Sequence, residues 1–126
     1  YGDHRDLHRL IRRQRQMCIR DSNCNEEVIS DEEKLKNIVA EAAKKANATL
    51  WEIKSWMFKG EKGGISIIAL VVESHIALHT WPKFRFATVD IYTCGEETDP
   101  WKAFEFIISQ LKPEKYTVNY VDRSSR

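Results

Sequence analysis

The chain has 126 residues, 42% hydrophobic and 31% charged, which is the size and composition of one globular domain. Twenty basic against nineteen acidic side chains leave a net charge of +1, a balance that speaks against a nucleic-acid binder or an acidic tail protein. No run of 18 apolar residues is present, so no membrane span is expected. Three cysteines without a CxxC pair point to a reducing cytoplasm rather than a disulfide framework.

The charge is uneven along the chain. Residues 1–20 hold six arginines and two aspartates, a net of +4, so the rest carries −3. This basic stretch lacks the apolar core of a signal peptide. Residues 1–22 read as a disordered leader of doubtful origin, with Met17–Ser22 of sequencing or gene-assembly character rather than evolved. Residues 23–126 then form the single folded domain.

Past residue 22 the patterns are regular. Ser30 with Glu33 three residues on makes a capping box. Behind it Leu35, Ile38, Val39, Ala42, Ala43 and Ala46 predict an amphipathic helix over 31–47. Thr49–Met57 alternates as a half-buried strand, with Leu50, Glu52, Lys54 and Trp56 on one side. The three glycines of 58–64 predict a loop. Ile65–Val72 is a β-branched apolar run and predicts a central strand. Ser74–Thr80 places His75, Ala77 and His79 on one face, and Arg85–Thr93 places Phe86, Thr88, Asp90 and Tyr92 on one face. Asp99-Pro100 opens a second helix striped by Trp101, Phe104, Ile107, Ile108 and Leu111. Pro113 closes it, and Tyr116–Val121 is a last strand. The expected fold is α+β: a two-layer sandwich with a mostly antiparallel sheet and two helices packed on one face.

Taken singly, the reactive residues say little. His75 and His79 have the spacing of a helical zinc pair, but their context is β and no third ligand follows, so no metal is expected. Cys94 ends a strand, where a free cysteine is most often a small buried residue. Ser66 lies inside an apolar strand and needs a hydrogen bond. The glycines of 60–64 lack the Gly-Lys-Ser/Thr of a phosphate loop.

Together they form one pattern. Glu73-Ser74-His75-Ile76-Ala77-Leu78-His79-Thr80-Trp81-Pro82, then Val89–Glu96, then Asp99–Glu105, closely resembles the small prokaryotic S-adenosylmethionine decarboxylase proenzymes. The resemblance covers about residues 24–121. It implies self-cleavage between Glu73 and Ser74, giving a β chain of 1–73 and an α chain of 74–126. The serine hydroxyl attacks the preceding carbonyl. β-Elimination and loss of ammonia then leave a covalently bound pyruvoyl group at position 74. It implies that His79 moves the processing proton, that Ser66 assists processing, and that Cys94 later donates a proton to the substrate. Phe58 aligns with the aromatic residue that stacks on adenine.

The implied chemistry is a Schiff base between substrate amine and pyruvoyl carbonyl, which takes up the electrons as carbon dioxide leaves, with no pyridoxal phosphate and no metal. The implied activity is conversion of S-adenosylmethionine to its decarboxylated form for spermidine biosynthesis, in a cytoplasmic homodimer with sites near the interface and no nucleic-acid or membrane partner. A related group of archaeal arginine decarboxylases, which make agmatine, carries nearly the same block and is the alternative. A non-catalytic α+β binding module is the second.

Two departures stand out. Lys83 follows Trp81-Pro82 where the family usually has Glu, and Arg12–Ser22 stands where the family has its first core strand. One expectation is geometric. Ser74 and His79 are an odd number apart, so a flat strand puts them on opposite faces. A turn or bulge is needed if both serve one centre.

Overall fold

The computed structural model describes residues 15–61, 63–72, 74–95 and 97–122. In chain order the elements are β1 (Arg15–Ser22), α1 (Glu26–Ile29), α2 (Glu32–Lys45), β2 (Leu50–Phe58), β3 (Gly64–Val71) and β4 (Ser74–Trp81). A 3-10 turn (Pro82–Phe84), β5 (Phe86–Thr93), α3 (Pro100–Leu111) and β6 (Lys115–Asp122) follow. The strands make one antiparallel sheet in the order β2-β3-β4-β5-β1-β6. α2 lies over β2, β3 and β4, α3 lies over β5 and β1, and the two helices touch each other. The α+β two-layer architecture is as the patterns predict.

Alternation decides which side chains meet the helices. Ile65, Ile67, Ala69 and Val71 of β3 face inward, as do Ile76 and Leu78 of β4 and Ala87, Val89 and Ile91 of β5. They pack against Leu35, Ile38, Val39, Ala42 and Ala43 of α2 and Ala103, Phe104, Ile107 and Leu111 of α3 in one core. Burial of this apolar surface is the main favourable term for the fold. The opposite face carries Trp56, Ser66, Leu70, His75, His79, Asp90 and Tyr92, and among the described residues no helix covers it.

Three expectations need correction. Residues 15–22 are not part of a disordered leader: they form β1, an inner strand bonded to β5 on one side and β6 on the other. Met17 and Ile19 drive this, both essentially fully buried. The remainder of the leader, 1–14, lies outside the described residues. Second, the first helix is capped by Asp31, whose side chain accepts from the Lys34 amide, and not by Ser30. Ser30 instead closes the one-turn helix α1, its hydroxyl donating to the Glu26 carbonyl. Third, β2 is the sheet edge and mostly exposed, with a register irregularity between Leu50 and Glu52, so it is not half-buried along its length.

Gly64, at the start of β3, allows a close approach. A Cβ there would run into the carbonyl oxygen of Thr80 on β4. That approach brings Gly60 and Gly63 to line one cleft with Pro82 and Lys83 at one end of the sheet.

Candidate active site

Ser74 is the first residue of β4, and it faces the helix side, 9% exposed. Its neighbour across the sheet is the end of β5, since His75 pairs with Tyr92. The chain leaves β5 at Cys94, whose backbone N–H donates to Ser74 Oγ at 3.0 Å. The Cys94 thiol points to Tyr92 Oη at 3.5 Å, on the open side of the sheet. The structure therefore brings two of the predicted residues, Ser74 and Cys94, into direct contact.

The loop after Cys94 is held from β1. Arg15 Nη2 donates to the carbonyls of Gly95 at 3.0 Å and Thr98 at 2.5 Å, and Thr98 Oγ1 donates to the Cys94 carbonyl at 3.2 Å. Arg15 is only 8% exposed, so this is a buried clamp on the segment that carries the thiol. Sequence reasoning missed it, because Arg15 sat in a stretch read as a leader.

Ser66 and His79 form a second pair. They face each other across β3 and β4 on the open side, with Ser66 Oγ 2.8 Å from His79 Nδ1. The Trp81 ring lies 6.3 Å from the imidazole. β4 runs in continuous register from Ser74 to Trp81, with no bulge. Ser74 and His79 thus point to opposite faces, about 16 Å apart along the strand. The turn that would unite them within one chain is not there.

Phe58 lies farther still. It ends β2, opposite Gly64, and is 57% exposed. It lines a cleft of about 380 Å³ with Met57, Lys59, Ile65, Pro82 and Lys83. Seven residue steps along β3 lead from Gly64 to Val71, the partner of Ser74, which amounts to about 23 Å. Lys83 stands exposed at this cleft. Glu73 lies outside the described residues.

His75 and His79 share a face but are about 13 Å apart on an extended strand. Among the described residues no group of three His, Cys, Asp or Glu side chains could hold a metal ion. His75 belongs instead to a cluster that sequence reasoning did not assemble. Its Nε2 is 3.5 Å from Asp90 Oδ2, and its ring stacks on Tyr92 at 5.5 Å and 19°. Gln16 Nε2 donates to Asp90 Oδ1 at 3.2 Å. Cys18, on the same face, has its thiol pushed above the ordinary range by burial and by the Asp90 carboxylate. The alternation of Phe86, Thr88, Asp90 and Tyr92 was visible, but its partners depend on strand register.

The site thus has a buried serine at the start of an inner strand, with the Cys94 amide on its hydroxyl. Residues 15–124 match the family model described as S-adenosylmethionine decarboxylase, and the chain belongs to that family. It is 62% identical over 98 residues to the arginine decarboxylase proenzyme of Aeropyrum pernix, covering 78% of this chain and 74% of the relative. It is 55% identical over 102 residues to the S-adenosylmethionine decarboxylase proenzyme of Sulfurisphaera tokodaii, covering 81% of each. Among solved structures, the adenosylmethionine decarboxylase of Aquifex aeolicus superposes with a TM-score of 0.81 at 27% identity, over 90% of this chain and 92% of that one. Proenzymes of this family are pyruvoyl-dependent decarboxylases, and the relatives are named for two different substrates.

Proposed function

We propose that this chain is a self-processing decarboxylase proenzyme that is cut between Glu73 and Ser74 and derives its pyruvoyl group from Ser74. The observation that carries the reading is the 3.0 Å bond from the Cys94 amide to Ser74 Oγ. That bond fixes the hydroxyl at a strand start, where it can attack the carbonyl of the preceding residue. The amide N–C bond is exchanged for an ester, and β-elimination then breaks the ester. Water releases ammonia and leaves the ketone. The residues present fit such a group, because position 74 is buried and backed by an amide donor. When formed, the group supplies an electron sink for the carboxylate carbon. Cys94 then delivers the proton of its thiol to the substrate carbon.

The distances support a site shared between two copies. Ser66, His79 and Phe58 lie about 16 to 23 Å from Ser74 within one chain. Laying the open faces of two copies together in opposite directions would bring the partner's His79 to the end of the sheet where β4 starts, the end that carries the Cys94 thiol. A homodimer therefore supplies the processing pair that a single chain keeps apart, and a chain of this size has little core of its own to spare.

Arginine is the better-supported substrate. The relative at 62% identity is named for arginine and the one at 55% for S-adenosylmethionine, so identity moves the choice away from the S-adenosylmethionine expected from sequence. S-adenosylmethionine stays the second reading because exposed Phe58 offers a ring for adenine. In either case the process served is polyamine synthesis.

Intact mass under denaturing, reducing conditions tests the core of the proposal. Two masses are expected, 1–73 and a pyruvoyl-capped 74–126, and Ser74→Ala should give one uncut chain. A single full-length mass for the parent protein would sink it. Co-expressing Ser74→Ala and His79→Ala chains tests the shared site: cleavage of the His79→Ala chain should reappear beside a partner that supplies the histidine. Released carbon dioxide from labelled arginine or labelled S-adenosylmethionine then separates the two substrates.

A further inference from the structure

At the Ser74 end of the open face, Tyr92 is held by its neighbour across the sheet. Its ring stacks on His75 at 5.5 Å and 19°, and the two residues pair across β5 and β4. His75 is in turn fixed by Asp90 at 3.5 Å, and Asp90 by Gln16 at 3.2 Å. The ring is thus set before its hydroxyl makes any contact. That hydroxyl reaches 3.5 Å from Cys94 Sγ.

We propose that Tyr92 is a positioning residue for the Cys94 thiol, accepting its proton at rest and donating to the sulfur once that proton has gone to substrate. The proposal rests on Cys94 being the proton donor. A phenol suits this because it is donor and acceptor in one group, whereas a thiol is weak as either. At rest the S–H donates to the phenol oxygen. When the proton leaves for the substrate carbon, the sulfur becomes an anion and the phenol O–H turns to meet it. No proton passes through the phenol, and one from water restores the thiol. A hydrogen bond to an ionised partner is about twice as strong as a neutral one. The contact is therefore strongest when the sulfur is charged. Phenylalanine at 92 would keep the stack on His75 and lose only the oxygen.

The test is alkylation of the full chain with iodoacetamide at pH 8, read by peptide mapping. Cys18 is exposed and serves as an internal reference. Tyr92→Phe should slow modification of Cys94 about threefold while Cys18 reacts as before. The drop is moderate because a less stabilised thiolate is also more nucleophilic. A tyrosine that merely props the strand end would predict the reverse, since looser packing exposes the thiol and speeds the reaction. An unchanged or faster Cys94 rate overturns the proposal. Cys94→Ser in the decarboxylation assay keeps the two readings distinct. If it turns over as fast as the parent, the proton-donor reading fails and this inference falls with it. If it is slow while Tyr92→Phe alkylates like the parent, only the role of Tyr92 is lost.

Discussion

β1 and β4 are both inner strands with four positions turned toward the helices, and they treat polar groups there very differently. On β4 the inward set is Ser74, Ile76, Leu78 and Thr80. Both of its hydroxyls are bonded, Ser74 to the Cys94 amide and Thr80 to the Ile29 carbonyl at 2.9 Å. On β1 the inward set is Arg15, Met17, Ile19 and Asp21. Among the described residues, Arg15 Nε has no partner, and Asp21 is fully buried with neither carboxylate oxygen partnered. Both strands hold their place by apolar anchors, but β4 has both inward hydroxyls bonded, whereas β1 bonds Arg15 through Nη2 and leaves the Asp21 carboxylate without a partner among the described residues. The lesson is that alternation is enough to seat a strand, and the bonding of the remaining positions decides how well it is held.

The largest expected effect comes from Asp21. Burial raises its carboxyl to about 7, against an ordinary value of about 3.9. Between those two values the folded chain holds a proton that the unfolded chain has released. Stability therefore falls as pH rises through this window and levels off above it. Three pH units correspond to about 4 kcal/mol. Urea unfolding of Asp21→Asn at pH 5 and pH 8 should show that slope flattened, with the variant the more stable at pH 8. An unchanged slope would mean that Asp21 is not buried in solution and that β1 is looser than described.

A matched pair of truncations comes next. Ile19 on β1 and Leu78 on β4 are both essentially fully buried. Ile19→Ala and Leu78→Ala should each lower stability by about 3 kcal/mol. A much smaller loss for Ile19 would break the equivalence and put β1 outside the cooperative core. The smallest effect should come from Thr80→Val, which strands the Ile29 carbonyl. It should cost about 1 to 2 kcal/mol in the same measurement.

What the sequence disclosed follows the same division. β3 was legible as a continuous β-branched apolar run, β4 and β5 because their apolar positions recur every second residue, and α3 because Asp99-Pro100 marks its start. The contact of Ser74 with Cys94 was implied by family resemblance, not by spacing, since twenty residues and a strand reversal lie between them. β1 was misread because Arg15 and Asp21 occupy two of its four inward positions, so its pattern looks like a basic tail. α1 is one turn long, below the reach of any helical period, and its presence shifted the cap from Ser30 to Asp31. The parity of Ser74 and His79 was read correctly as a conflict. The flat strand leaves it standing within one chain, and that is the physical ground for looking to a second copy. The Asp90 cluster was out of reach, because it joins β1, β4 and β5 through a register no sequence prints.

The strand order carries one more consequence. A cut after residue 73 leaves β1, β2 and β3 on one piece and β4, β5 and β6 on the other. Across the sheet, β2 and β3 come first, then β4 and β5, then β1, then β6. The severed pieces are interleaved like the fingers of clasped hands. Parting them would mean unzipping three separate ladders at once, β3 from β4, β5 from β1 and β1 from β6. Breaking one peptide bond would therefore free a new chain end at position 74 without letting either half of the molecule go.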